Sequence, residues 1–325
     1  MISGKCAVSG CAGFIGSHLI DRLISEGCEV VGLDNLSSGN VSNLDAAVRG
    51  RKGFTFIEGD IRNPEDCRLL CSDARYVFHL AAIGSVPQSL RDPLETSSTN
   101  SEGFVKILEA SRLSGVERVV YASSSAVYGN KVKVPVRERD VRGYCLSPYA
   151  ASKLSNEAYA SAYSAGLGLE SVGLRYFNVF GERQNPSGHY AAVISRWVHT
   201  MFNEEACTIY GDGTSSRDYS YVGNIVEATL TAAVSDLSST EERVFNIASG
   251  ESTTLNALFE MISKAVRRAG GPVVQDAVFE EYRHGDIMHS QADIRLAERI
   301  LGYHEVVDMK EGLRRLCRGY AEGRA

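Results

Sequence analysis

Along the first 130 residues, short apolar runs alternate with longer segments in which apolar side chains recur every three or four positions. Cys6-Ala-Val-Ser is the first such run and predicts a buried strand. Phe14, Ile15, Leu19, Leu23 and Ile24 then share one helical face and predict a helix over 14–26. Glu29-Val-Val-Gly-Leu33 predicts a second strand, ended by Asp34. Further strands are predicted at 54–57, 76–80, 118–122 and 170–174, each separated from the last by a segment of helical length. Strand, helix, strand in repetition is the pattern of parallel crossovers, so the expected class is α/β with an open, doubly wound parallel sheet.

After about residue 177 the rhythm changes to turns, Asn185-Pro-Ser-Gly188 and Tyr210-Gly-Asp-Gly213, with helices expected near 254–268 and 292–301. The expected organisation is a nucleotide-binding domain over 1–177 and a smaller mixed α/β substrate lobe over 178–325. Arg243-Val-Phe-Asn-Ile-Ala248 reads as a short strand returning to the main sheet, which would interweave the two lobes. No internal repeat or low-complexity tract interrupts the pattern.

Composition narrows the function classes. The 325 residues are 44% hydrophobic and 23% charged with 7 prolines, which excludes collagen, coiled coil and disorder. A net charge of -6 without a Lys/Arg block gives no nucleic-acid or anionic-membrane surface, so a small-molecule partner is expected. No apolar run approaches the ~18 residues of a membrane span and no leader pattern is read at the N-terminus, so the expected location is cytoplasmic. The eight cysteines are scattered; Cys67 and Cys71 would share a helix face but read as buried small hydrophobes, and no metal site is assigned.

Two constellations carry chemistry. Gly10-Cys-Ala-Gly13-Phe-Ile-Gly16 lies between strand one and helix one, where a turn without Cβ atoms lets the backbone approach a pyrophosphate held at the helix N-terminus. The spacing departs from G-x-G-x-x-G, and a glycine pattern alone can be only a tight turn. Asp34 at the end of strand two adds a carboxylate that accepts hydrogen bonds from a ribose diol and repels a 2′-phosphate, favouring NAD over NADP and a Rossmann-type sheet. The second constellation is Ser147-Pro-Tyr149-Ala-Ala-Ser-Lys153. Tyr149 and Lys153 share a helix face, so the ammonium, with a cationic nicotinamide, would lower the phenol's pKa and prepare a general base. The same spacing also occurs as a half-buried aromatic beside a solvated amine. Ser123-Ser-Ser125 at the end of the 118–122 strand could cap a turn or hold a substrate hydroxyl.

These motifs together resemble the extended short-chain dehydrogenase/reductase family, and within it the sugar-nucleotide 4-epimerases. The resemblance runs through Asp60-Ile61, His79-Leu-Ala-Ala82 and Arg175-Tyr-Phe-Asn-Val-Phe-Gly181 and covers nearly the whole chain. It implies Tyr149 as base, Lys153 on the nicotinamide ribose, and Ser124 on the reacting hydroxyl with Ser125 beside it. It further implies NAD contacts from Gly10, Gly13, Phe14, Ile15, Gly16, Asp34, Asn35, Asp60 and Ile61 on the adenosine and diphosphate side. Leu80, Ala81, Ala82 and Tyr176 are implied on the nicotinamide side. For a UDP-sugar it implies Asn178, Arg217 and Arg283 at the diphosphate, Tyr210 and Gly211 at the uracil, and Asp286 at a ribose hydroxyl.

The chain has Ser124-Ser-Ala126 where the family's 4,6-dehydratases carry Thr-Asp-Glu, which disfavours dehydration. Gly84-Ser-Val-Pro-Gln-Ser89, Gln184-Asn185, and Tyr190-Ala-Ala192 with Val193 following resemble the subgroup that interconverts UDP-N-acetylglucosamine and UDP-N-acetylgalactosamine. Ser290 falls where the family's pocket wall is either tyrosine or small, and Gly84 and Ala192 are expected to open the same side. Plain UDP-hexose epimerisation, a uronic-acid epimerase or decarboxylase, and an NAD-binding sensor without turnover remain as rivals. The resemblance implies a homodimer through helices near 94–114 and 149–165.

Overall fold

The structure is a computed structural model that describes residues 2–44, 53–130, 132–186, 192–282 and 287–323. Its main body is a seven-stranded sheet. The strands are β1 (Lys5–Ser9), β2 (Glu29–Asp34), β3 (Phe54–Glu58), β4 (Tyr76–His79), β5 (Arg118–Ser124), β6 (Ser171–Tyr176) and, after short β7 (Asn178–Phe180), β8 (Thr208–Tyr210), β9 (Ser216–Arg217) and β10 (Tyr219–Tyr221), β11 (Val244–Ile247). Their order is β11-β6-β5-β4-β1-β2-β3, and every pairing in this sheet is parallel. The central strands are buried on both faces, which is why they read as continuous apolar runs and not as alternation. The order reverses between β1 and β4, opening a crevice at their carboxyl ends, the general ligand position of such sheets.

Helices cover both faces. Helix α1 (Phe14–Ser25) packs on one side in a core with Leu19, Leu23, Val30 and Phe78. On the other, α2 (Pro64–Cys71) supplies Cys67 and Cys71, both fully buried, to a core with Phe104 and Val119. Short α3 (Val86–Arg91) and α4 (Pro93–Ser97) lead through a π-turn at Ser98–Glu102 into α5 (Gly103–Leu113). Helix α6 (Pro148–Leu167) starts where local chemistry dictates: Ser147 accepts from the Ala150 amide at 3.1 Å, and Pro148 occupies the first turn, where its missing N–H costs nothing. That start places Tyr149 in the first turn and Lys153 one turn on.

The remaining helices are α7 (Val193–Phe202), α8 (Val222–Val234), α9 (Leu255–Arg268), α10 (Arg295–Leu301) and α11 (Met309–Ala321), with β12 (Thr253–Thr254) and β13 (Val278–Glu280). Trp197, Leu258, Ile262, Leu313 and Leu316 form a separate core in the smaller lobe. Ile225, Val226 and Leu230 of α8 and Ala297 and Leu301 of α10 instead join the core of α1. The chain therefore passes from the sheet to the smaller lobe and back more than once, and the segment expected to return near 243–248 pairs with β6. The second late helix begins at Arg295, three residues beyond the expected start, because Asp293 is turned inward, only 9% exposed, to pair with Arg137 and Arg295. Among the described residues no helix is long and apolar enough to cross a membrane.

Candidate active site

The crevice between β1 and β4 is shaped by close backbone approach. Gly10 has φ +74°, and a Cβ there would lie 2.6 Å from the Ala81 nitrogen; a Cβ on Gly16 would lie 2.0 Å from the Gly10 carbonyl oxygen. Leu80 N donates to Ser9 O at 3.1 Å and Ala81 N to Ser9 Oγ at 3.4 Å, so the Leu80-Ala81-Ala82 strand end closes directly on the glycine turn. Phe14 and Ile15 open α1 behind Gly13, whose N-cap position carries no side-chain cap, and no acidic residue stands in the first turn. The first amides and the positive end of the helix are left for an anion. Asp34 lies beside them, accepting from Ala12 N at 2.9 Å and Leu36 N at 2.9 Å. Burial raises its pKa above the ordinary value while these amides oppose the shift.

Asn35 donates to Asp60 at 2.9 Å. Arg62 also grips Asp60, at 2.7 Å, and holds its carboxyl far below the ordinary range. Ile61 departs from the pattern of a surface contact: its side chain is 3% exposed and packs on Gly103, where a Cβ would come within 2.8 Å. Tyr176 is also largely committed to the core, its hydroxyl bonded to Thr229 at 2.8 Å, although it borders the cavity described next.

At the carboxyl end of β5, the Ser124 hydroxyl accepts from Ala126 N at 3.1 Å and lies near the Tyr149 phenol, with which it lines one cavity. Lys153 is 3% exposed; its ammonium donates to Ala122 O at 2.8 Å and stands 5.9 Å from the Tyr149 ring centre. Burial lowers the Lys153 pKa to about 8. Burial raises that of Tyr149, and the nearby Ser124 hydroxyl opposes the shift. The expectation of a phenol drawn towards neutrality is thus not met by the chain alone: Lys153 donates to Ala122 O, makes no hydrogen bond with the phenol oxygen, and can act on it only through space.

Ser124, Ser125, Tyr149, Gly84 and Ser290 border one cavity of about 660 Å³. A Cβ on Gly84 would meet nothing within 4 Å, and Ser290 is held by its amide to Ser216 O at 3.0 Å. Asn178 borders this cavity and also an adjoining one of about 360 Å³, lined by Ala192, Val193, Tyr210 and Arg217. Ala192 therefore does not share a wall with Gly84 and Ser290, contrary to expectation. Arg217 donates to Ser216 O at 2.9 Å and Met288 O at 3.2 Å. Gly211 has φ +81°, and its bare Cα is covered by the Tyr282 ring, which a Cβ would strike at 2.2 Å. Gln184 donates to Val179 O at 3.0 Å and borders neither cavity. Arg283 and Asp286 lie outside the described residues.

Three site residues escaped the sequence reading. Tyr282 and Arg196 line the smaller cavity; each is a common residue in a segment without a motif. Asn100 sits in the π-turn, 1% exposed, accepting from Ile83 N at 2.8 Å and donating to Ile83 O and Ser152 Oγ at 3.1 Å each. It ties the loop after β4 to α6, and a π-turn gives no periodic signal by which to find it.

The model of the NAD dependent epimerase/dehydratase family matches residues 6–248. The chain belongs to this family. A family member from Mycolicibacterium smegmatis, a UDP-glucose 4-epimerase, is 37% identical over 311 residues, covering 95% of this chain and 96% of its own. The solved structure of the UDP-N-acetylglucosamine 4-epimerase from Methanobrevibacter ruminantium M1, in complex with UDP-N-acetylmuramic acid, superposes with TM-score 0.92 at 38% identity, covering 99% of this chain and 100% of that one. The UDP-glucuronic acid 4-epimerase from Bacillus cereus, solved with UDP-glucuronic acid and NAD, has TM-score 0.84 at 30% identity, covering 99% and 100%. NAD is the family's cofactor, and the residues present fit it. The α1 N-terminus has no side-chain cap, Asp34 stands beside it, and the buried Lys153 ammonium has one hydrogen-bond partner among the described residues.

Proposed function

We propose that the chain is an NAD-dependent UDP-sugar 4-epimerase whose preferred pair is UDP-N-acetylglucosamine and UDP-N-acetylgalactosamine. Gly10, Gly13 and the first amides of α1 hold the dinucleotide diphosphate, Asp34 its adenosine ribose, and Lys153 its nicotinamide ribose. When bound, NAD supplies the acceptor and donor of hydride at C4 of the sugar. Tyr149 takes the O4 proton and later returns it, Ser124 orients that hydroxyl, and Lys153 stabilises the phenolate. Between these events the 4-keto sugar must turn over while the nucleotide stays put. Asn178, Tyr210 and Arg217 anchor the nucleotide in the smaller cavity; the guanidinium forks of Arg217 and Arg196 suit a diphosphate.

The observation that carries the substrate preference is the lining of the cavity that Ser124 and Tyr149 border: Ser290 and Gly84 are small and leave room for a 2-acetamido group. A second reading has its own observation. Lys133 borders the same cavity, and among the described residues no carboxylate pairs with it, so a C6 carboxylate would find a cation there. Purified protein incubated with UDP-N-acetylglucosamine, UDP-glucose or UDP-glucuronic acid, with anomeric proton NMR as the readout, separates the readings. The expected order has the acetylated sugar epimerised fastest, and Ser290→Tyr should cost it at least tenfold while sparing UDP-glucose. Faster turnover of the uronic acid would replace the preference, and no epimer from any sugar with NAD supplied would overturn the activity.

A further inference from the structure

Behind the residues of the proposed reaction lies a buried ionic cluster. Arg175 of β6 stands beside Ser123 of β5 in the sheet register. Its guanidinium meets Glu157 of α6 through two bonds, Nε to Oε1 at 2.8 Å and Nη2 to Oε2 at 2.7 Å. Glu157 Oε1 also accepts from Ser123 Oγ, the residue just before Ser124. The remaining arm of Arg175, Nη1, donates to the Tyr128 hydroxyl and to Glu138 O, both at 2.8 Å, and Tyr128 in turn donates to Asn246 Oδ1 at 2.6 Å. Arg175, Glu157, Ser123 and Asn246 are at most 9% exposed.

The placement of this cluster is informative. Lys153 and Glu157 are successive turns of α6, and they hold Ala122 and Ser123, successive residues of β5, immediately ahead of Ser124. Arg175 then holds Tyr128, the end of the Ser125–Tyr128 turn that follows Ser124. The backbone that carries Ser124 is thus held on both sides, and Lys153 and Glu157 tie its leading side to the helix that carries Tyr149. A buried ion pair adds little net stability over an apolar pair of similar volume, but its forked hydrogen bonds hold a relative position that apolar packing does not.

We infer that Arg175 and Glu157 are positioning residues for the reaction, fixing the Ser124 hydroxyl against the Tyr149 phenol through the ends of β5 and α6. The inference rests on the epimerase reading. Displacing reacting groups by about an ångström can cost on the order of a hundredfold in rate, whereas anchoring of the nucleotide some residues away is unaffected.

The test uses the NAD-loaded full chain and reports kcat per cofactor-loaded site, KM and Tm for Glu157→Gln, Arg175→Lys and the paired apolar variant Glu157→Leu with Arg175→Met. As a control, Glu170→Gln weakens its ion pairs with Arg243 at 3.2 Å and Arg118 at 3.9 Å, which link the ends of β6, β11 and β5 farthest from the site. The expected result is a kcat lower by about tenfold to a hundredfold in all three variants. KM should stay within about twofold, and the control should match wild type. Arg175→Lys should not rescue, because a single ammonium cannot make both bonds and also reach Tyr128. If the paired variant does not fold, the near-isosteric Glu157→Gln carries the test. A folded, loaded Glu157→Gln or paired variant with wild-type kcat, or one in which only KM changes, overturns the inference while leaving the epimerase intact. Wild type that neither forms epimer nor reduces its bound cofactor on addition of UDP-sugar overturns the parent reading, and the inference falls with it.

Discussion

In the proposed reaction Tyr149 and Lys153 have different roles within one turn of helix, and substitution separates them. Tyr149→Phe removes the proposed base while preserving ring packing, so kcat should fall about a hundredfold or more with NAD still bound. Lys153→Met removes the buried ammonium near the phenol. Because burial already raises the Tyr149 pKa, loss of the nearby cation raises it further, so the acid limb of the pH–rate profile should move to higher pH. A profile that stays in place would show that the lysine only binds ribose. The pair was visible in the sequence as Tyr-x-x-x-Lys, but the upward balance on the phenol was not, since it follows from how many protein atoms surround it.

Among the elements, the turn from β1 into α1 has the least freedom. Gly16 belongs to the helix, where alanine would ordinarily be favoured by about 1 kcal/mol, yet a Cβ would sit 2.0 Å from the Gly10 carbonyl. Gly16→Ala should therefore move the turn and weaken NAD binding at least tenfold, as read by titration calorimetry; unchanged affinity would mean that the turn does not set the cofactor site. The strands of the main sheet were legible because burial on both faces writes a continuous apolar run. Helix α8 was not: Val222-Gly-Asn-Ile-Val-Glu-Ala-Thr-Leu-Thr-Ala-Ala-Val is buried along most of its length, so no polar face marks its period. Helix α11 does carry the signal, with Leu313, Leu316 and Cys317 buried at helical spacing opposite its arginines.

At the scale of the molecule, Asp218 joins segments that are far apart in the chain. It is fully buried, accepts from Ser249 N, Ser249 Oγ, Gly250 N and Ala292 N, and its carbonyl accepts from Asn178. Burial pushes its carboxyl from the ordinary 3.8 up to about 6 despite those donors. A carboxyl raised on folding binds more protons in the folded state, so its contribution is fullest below about 3.8 and is lost as pH rises through about 6. The stability difference between wild type and Asp218→Asn, from denaturant melts between pH 4 and 7, should shrink as pH rises. A difference that grows would mean that the four donors outweigh desolvation.

The sequence by itself determined the alternation of strands and helices, the glycine turn between β1 and α1, and the placing of Tyr149 and Lys153 on one helix face, because each is a local property of spacing or of backbone freedom. Even the start of α6 was local, written in Ser147-Pro148. Tertiary structure alone decided what these residues face. It put Ala192 in the neighbouring cavity, turned Ile61 into the core, and brought Lys133 to the sugar cavity. It also closed Arg175 on Glu157, 18 residues earlier in the chain, and drew Asn100 onto Ser152. Those placements depend on the register of parallel strands and on long-range packing, which no window of sequence contains.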